Sequence, residues 1–243
     1  MGNILTLYHG TDHILEKPCF GKGKTYNDYG LGFYCTKTLD LAKEWSVDEN
    51  RDGFVNKYEI DITGLQILNL NKNDYPMLKW LSVLIENRTF DSYTQLRAEA
   101  KSYLQKHFSV DYKSYDLIIG YRADDSYFQF AKDFLDGEIP YSTLSKAMML
   151  GKLGNQYVLK SRRAFDLIKF VSAEPVKSAE WFPKKQQREQ EARMKYKESK
   201  SVRLHDDDIF MLDILRGKLS DDDKKILRQG VFARIPEGTR SDD

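Results

Sequence analysis

A chain of 243 residues with 41% apolar side chains has room for one large domain, or one domain with an appendage, and enough apolar content for an ordinary core. Lys+Arg 38 against Asp+Glu 37 leaves a formal charge of +1, so net charge announces neither a nucleic-acid binder nor a membrane-surface protein. Two cysteines, Cys19 and Cys35, make neither a disulfide framework nor a zinc site, and no window approaches the roughly 18 apolar residues of a spanning helix. With no basic segment ahead of an apolar run at Met1-Gly2-Asn3, the expected location is cytoplasmic.

Ile4 to His9 alternate, with Leu5, Leu7 and His9 on one face, which predicts a half-buried strand that ends at Gly10. Residues 11–29, with Pro18 and Gly21-Lys22-Gly23, read as a surface loop leading to a second strand at Phe33-Tyr34-Cys35. Thr38 is placed to cap a helix that turns Leu39, Ala42 and Trp45 one way. Residues 55–62 alternate as a strand, and 65–70 form another. From Pro76, a residue suited to a first helical position, Met77, Leu78, Trp80, Leu81, Leu84 and Ile85 wrap a helix destined for deep burial. A second amphipathic helix runs from about Ser92 to Lys106.

Tyr115 to Gly120 is a short apolar run, a buried strand, followed by Asp124 or Asp125 as a helix cap and two helical stretches near 126–136 and 141–151. Gln156 to Ser161 is a strand, and residues 164–171 fit strand or helix, with Pro175 as the stop. Between Lys184 and Arg203 eight Lys/Arg face three Glu, and this reads as a solvated helix or linker whose bolder alternative is a nucleic-acid contact. Two short helices follow, the second capped by Ser220, and the last seven or so residues are expected to fray.

The familiar nucleotide signatures are missing: Tyr26 stands at the third-glycine position after Gly21-Lys22-Gly23, and there is no phosphate-binding loop. The four histidines form no HExxH pair, so no metal is expected. What remains is an ordered set: Tyr8-His9-Gly10-Thr11, then Gly30-Leu31-Gly32-Phe33-Tyr34, then Trp45 eleven residues beyond that tyrosine, then Asn155-Gln156-Tyr157-Val158. Taken singly, each has a structural explanation as a core or surface residue.

Together, over roughly residues 4–172, they resemble the ADP-ribosyltransferase superfamily, in its His-Tyr-Glu branch of poly(ADP-ribose) polymerase and diphtheria-toxin type, and look nearest to uncharacterised bacterial members. The resemblance implies an α+β fold, a mostly antiparallel split sheet with helices packed outside and a helical C-terminal appendage. It also implies an NAD-binding domain over 1–175, after which composition gives a basic linker or helix over 176–205 and a short helical appendage over 206–243. It gives His9 the bond to a ribose hydroxyl of NAD and gives the main chain of Gly10 the nicotinamide carboxamide. Tyr34 and Trp45 would flank the nicotinamide ring, with Tyr8, Thr11, Gly32 and Asp124 as further candidates for NAD binding.

Gln156 stands where the resembled enzymes carry glutamate, keeping the hydrogen-bonding shape and losing the charge. An amide is no general base for chain extension, so single transfer of ADP-ribose to a protein or nucleic acid is the expectation. The alternatives are an NAD or ADP-ribose binding module and an NAD glycohydrolase. Asp124, Asp125 or Glu138 are candidates for the missing carboxylate. An inhibitor partner is compatible with this reading, and a membrane is not expected.

Overall fold

A computed structural model describes residues 2–228 apart from 73, 90–92, 124, 151–152 and 202. Strands β1 (Ile4–Thr11), β3 (Gly53–Asp61) and β7 (Ile168–Val176) form an antiparallel sheet in the order β1-β3-β7. A second sheet has the order β2-β6-β5-β4, built from β2 (Phe33–Cys35), β6 (Asn155–Leu159), β5 (Leu117–Tyr121) and β4 (Ile67–Asn69). Its pairs are antiparallel except β4 with β5. Mixed α+β architecture therefore agrees with expectation.

The sheets share one apolar cluster, in which Leu7, Tyr58 and Ile60 of the first meet Phe33, Cys35, Leu117, Tyr157 and Leu159 of the second. Helix α1 (Leu39–Ser46) covers the other face of the first sheet, where Ala42 and Val47 meet Val55 and Val176. The other face of the second sheet carries the largest cluster, built on α2 (Met77–Asn87), α3 (Gln95–His107), α4 (Asp125–Leu135) and α5 (Tyr141–Ala147). Helix α2 buries Met77, Leu78, Trp80, Leu81 and Val83 to Ile85, as its nearly continuous apolar surface requires. Pro76 sits one position before the helix, at the N-cap. Helix α3 begins at Gln95, where Thr94 accepts from the Arg97 amide at 3.1 Å; the expected start at Ser92 lies outside the described residues.

Residues 164–171 turn out to divide between helix and strand. Ser161 caps α6 (Arg162–Leu167) through the Ala164 amide, and β7 begins at Ile168. Pro175 does not stop the segment: it pairs opposite Phe54 inside β7, at the sheet edge, where a missing N–H breaks no interior ladder. The charged stretch forms α7 (Ser178–Lys200), which includes Pro183 and buries Ala192 and Tyr196. Helices α8 (Met211–Leu215) and α9 (Asp221–Arg228) follow, and Ser220 and Asp223 close a reciprocal cap on α9. Ile209, Met211, Ile214 and Leu227 belong to the largest cluster, so these helices complete the main core. The chain end expected to fray lies outside the described residues.

Candidate functional site

Among the described residues the two sheets exchange main-chain hydrogen bonds at one residue pair. Tyr8 N–H donates to the Thr36 carbonyl at 2.7 Å, and Thr36 N–H donates back at 2.9 Å. Main-chain groups along a strand alternate sides, so Gly10 and Tyr34, each two residues away, direct their amide and carbonyl toward the same gap as Tyr8 and Thr36 do. Past the bridge, toward Gly10 and Tyr34, no further main-chain bond joins β1 to β2 among the described residues.

His9 stands where the strands separate. Its Nδ1 lies 2.7 Å from the Tyr34 carbonyl and its ring packs 4.6 Å from Phe33. A carbonyl only accepts, so Nδ1 carries the proton. Burial pushes the imidazole below its ordinary value, offset in part by this bond and assisted by His13. The ring is therefore neutral at pH 7, with Nε2 left as an acceptor. The buried Asn56 fixes the strand end from behind, accepting from the Leu15 amide at 2.9 Å and donating to the His13 carbonyl at 3.2 Å.

Tyr34 pairs with Val158, so it shares a face of the second sheet with Gln156, two residues along β6. Its hydroxyl donates to the Gly30 carbonyl at 2.5 Å and accepts from the Tyr29 amide at 3.1 Å, which anchors the ring to the loop before β2. Burial raises this phenol, and the Asp28 charge adds to the effect. Gln156 is 7% exposed, and its Oε1 is buried with no hydrogen-bond partner. Trp45 Nε1 is likewise buried and unpartnered. An unfilled buried acceptor and an unfilled buried donor each cost about 1–3 kcal/mol, so they call for a reason.

Three devices hold the loop between β1 and β2, and sequence reading singled out none of them. Buried Asp28 accepts from Arg88 Nε at 2.8 Å and from the Ala123 amide at 2.9 Å. Tyr29 packs onto Gly120 and donates to the Tyr121 carbonyl at 2.6 Å. Lys160 donates to the Tyr29 carbonyl at 2.7 Å and to that of Leu31. Burial lowers the Lys160 ammonium to about 8, with Lys113 adding repulsion. No spacing in the sequence marks these residues, because each acts on a partner tens of positions away.

Arg122, just past β5, is the other unforeseen residue. Its guanidinium carbon lies 4.4 Å from the centre of the Trp45 ring. By strand alternation it shares the face of Gly120, which pairs with Gln156. One face thus gathers Tyr34, Gln156 and Arg122, and Arg122 reaches Trp45 on α1. His9 joins them through the Tyr34 main chain.

The candidate glycines Gly10 and Gly32 are accounted for by packing. A Cβ on Gly10 would collide with the Ala42 carbonyl of α1, and one on Gly32 would lie 2.7 Å from Val158 Cγ1. Tyr8 packs beside Ala42 and Val55, and Thr11 Oγ1 donates to Asp12 Oδ1 at 3.3 Å. Asp124 lies outside the described residues. Glu138 pairs with Lys200 at 2.9 Å, which commits its carboxylate there. An open groove of about 530 Å³ lies across the Tyr8–Thr36 bridge, lined by Thr6, Lys37 and Asp40, and of the predicted residues it holds Tyr8 alone.

A family model described as a protein of unknown function, DUF3990, matches residues 5–170, from the first strand into the last. The chain belongs to the DUF3990 family. No curated protein and no solved structure matches it. The DUF3990 span contains every predicted site residue. Among the described residues no group of three or more His, Cys, Asp or Glu is placed to hold a metal, and no helix is long and apolar enough to cross a membrane.

Proposed function

We propose that this DUF3990 protein is a mono-ADP-ribosyltransferase with NAD as substrate. The observation that carries the reading is the buried, unpaired Gln156 Oε1 on the sheet face it shares with Tyr34. Beside it a neutral His9 with a free acceptor is bonded to the Tyr34 carbonyl, next to the Gly10 main chain. A carboxamide is the complement of a strand edge that offers one N–H and one C=O. His9 Nε2 and Gln156 Oε1 accept from ribose hydroxyls, and Tyr34 and Trp45 flank the ring. In the transfer the bond from ribose C1′ to the pyridine nitrogen breaks, and its electron pair leaves on neutral nicotinamide. A new bond forms from C1′ to the acceptor nucleophile, whose proton passes to solvent.

Nicotinamide release from NAD by the purified protein tests this. His9→Ala and Tyr34→Ala are each expected to abolish it, and unaltered release in both would sink the assignment. Gln156→Glu is expected to raise turnover about 100-fold, the effect of one preorganised electrostatic partner. Free ADP-ribose as the sole product would make water the acceptor.

A second reading, a pocket that binds NAD or ADP-ribose without chemistry, is favoured by one observation. The face that carries uncharged Gln156 also carries the Arg122 cation, which is adverse to a positively charged transition state. Calorimetry showing NAD bound without turnover, unrestored by Gln156→Glu, would select it.

A further inference from the structure

The stretch 184–203, for which a nucleic-acid contact is the bolder alternative to a solvated helix, commits several cations within the fold. Arg188 bonds Glu44 at 2.8 Å, Lys200 bonds Asp133 and Glu138 at 2.9 Å each, and Lys184 bonds Glu180 at 2.9 Å. A different surface has the required composition. The loop from β1 to β2 is fastened at Leu15 by Asn56 and at Asp28 by Arg88, and between these points it presents an exposed tip.

On that tip Phe20 is 45% and Tyr26 51% exposed, among the exposed Lys17, Lys22 and Lys24. Phe20 rests edge-on against Phe165 of α6 at 5.5 Å, and the Arg162 guanidinium lies 5.1 Å from its centroid. Lys24 lies 5.8 Å over Tyr26. With Arg163 the tip and α6 carry five cations against the acids Glu16 and Asp166. Two half-exposed aromatic rings stand here among exposed lysines. A solvated loop gains nothing from such rings, whereas stacked bases between neutralised phosphates would cover them.

We propose that this tip is a docking platform for single-stranded nucleic acid and that the docked strand is the acceptor for the site it adjoins. The acceptor role rests on the transferase reading; the platform does not. Phe20 and Tyr26 offer stacking faces to unpaired bases, and Lys17, Lys22, Lys24 and Arg162 meet the phosphates. Phe20 connects to His9 through a chain of ring contacts, first Phe165 and then Phe33, so a strand on the tip lies on the His9 side of the fold.

Fluorescence anisotropy of the full chain with labelled single-stranded DNA and RNA of about 20 nucleotides tests the platform. Saturable binding is expected, stronger than to a duplex of the same sequence. Phe20→Ala with Tyr26→Ala should weaken it about tenfold or more. Lys17→Gln, Lys22→Gln and Lys24→Gln together should lower the slope of log affinity against log salt by about 2. Thermal melts of these surface variants should match the parent. Absence of saturable binding, a preference for duplex, or binding unmoved by both sets overturns the platform.

Labelled NAD in the same mixtures separates the two ideas. Nicotinamide release without oligonucleotide binding removes the platform and leaves the transferase. Binding without any release does the reverse. Release with binding but with label only on added protein overturns the acceptor role.

Discussion

Two cations compete for the Trp45 ring if the NAD reading holds: the resident guanidinium of Arg122 and the pyridinium of the substrate. An aromatic face attracts a cation by about 0.5–2 kcal/mol, so displacing Arg122 costs NAD binding a comparable amount. Arg122→Ala is therefore expected to tighten NAD about tenfold in calorimetry; weaker binding would make Arg122 a ligand contact instead. The sequence marks Trp45 as an aromatic on a helix face and Arg122 as a residue past a strand end. That the two meet depends on how α1 lies against β5, which no local pattern encodes. Gly10 teaches the same lesson from the other side. Its place beside His9 suggests room for a ligand, yet the closeness of Ala42 is what requires a residue without a side chain.

The loop before β2 depends on Asp28, whose carboxyl burial raises to about 6 against the pull of Arg88 and the Ala123 amide. The folded value lies above the ordinary carboxylate value of 3.8, so the folded state binds the proton more tightly. The contribution is full below about pH 4 and is lost as pH rises through 6, the reverse of an ordinary paired carboxylate. Acidification from pH 7 to 5 should thus gain about 1 kcal/mol from this group in urea unfolding, and Asp28→Asn should lack that gain. A difference between the two proteins that does not vary with pH would show that Asp28 does not titrate there.

Elements were legible where the periodicity was long, as in α2 and β3, or where a cap was explicit, as at Ser220. The ambiguous run 164–171 was settled by the Ser161 cap at one end and by pairing with Tyr58, Glu59 and Ile60 at the other. That pairing draws on residues a hundred positions away.

The C-terminal helices belong to the same body as the sheets. Tyr196 stacks on Phe130 at 3.7 Å, the Tyr141 amide donates to the Ile209 carbonyl at 2.8 Å, and Arg188 pairs with Glu44 next to Trp45. Tyr196, Ile209, Met211, Ile214 and Leu227 together bury side chains worth about 10 kcal/mol, comparable with the whole stability of a domain. A chain ending at residue 176 is expected to lose cooperative thermal unfolding by circular dichroism. A sharp transition in that fragment would show that residues 5–170 fold alone.

By itself the sequence determined the mixed α+β class, most of the helices and strands, and the order in which His9, Tyr34, Trp45 and Gln156 occur. Each of these is written in nearest-neighbour spacing: alternation, helical period, cap and glycine. The tertiary structure decided that the sheets part after one bridge at Tyr8 and Thr36, so that His9 satisfies the Tyr34 carbonyl where a strand would have done so. It decided too that Arg122 lies on Trp45 and that Gln156 Oε1 is buried unpaired. Those outcomes turn on which distant side chains share a face, a property of packing between elements that spacing along the chain does not carry.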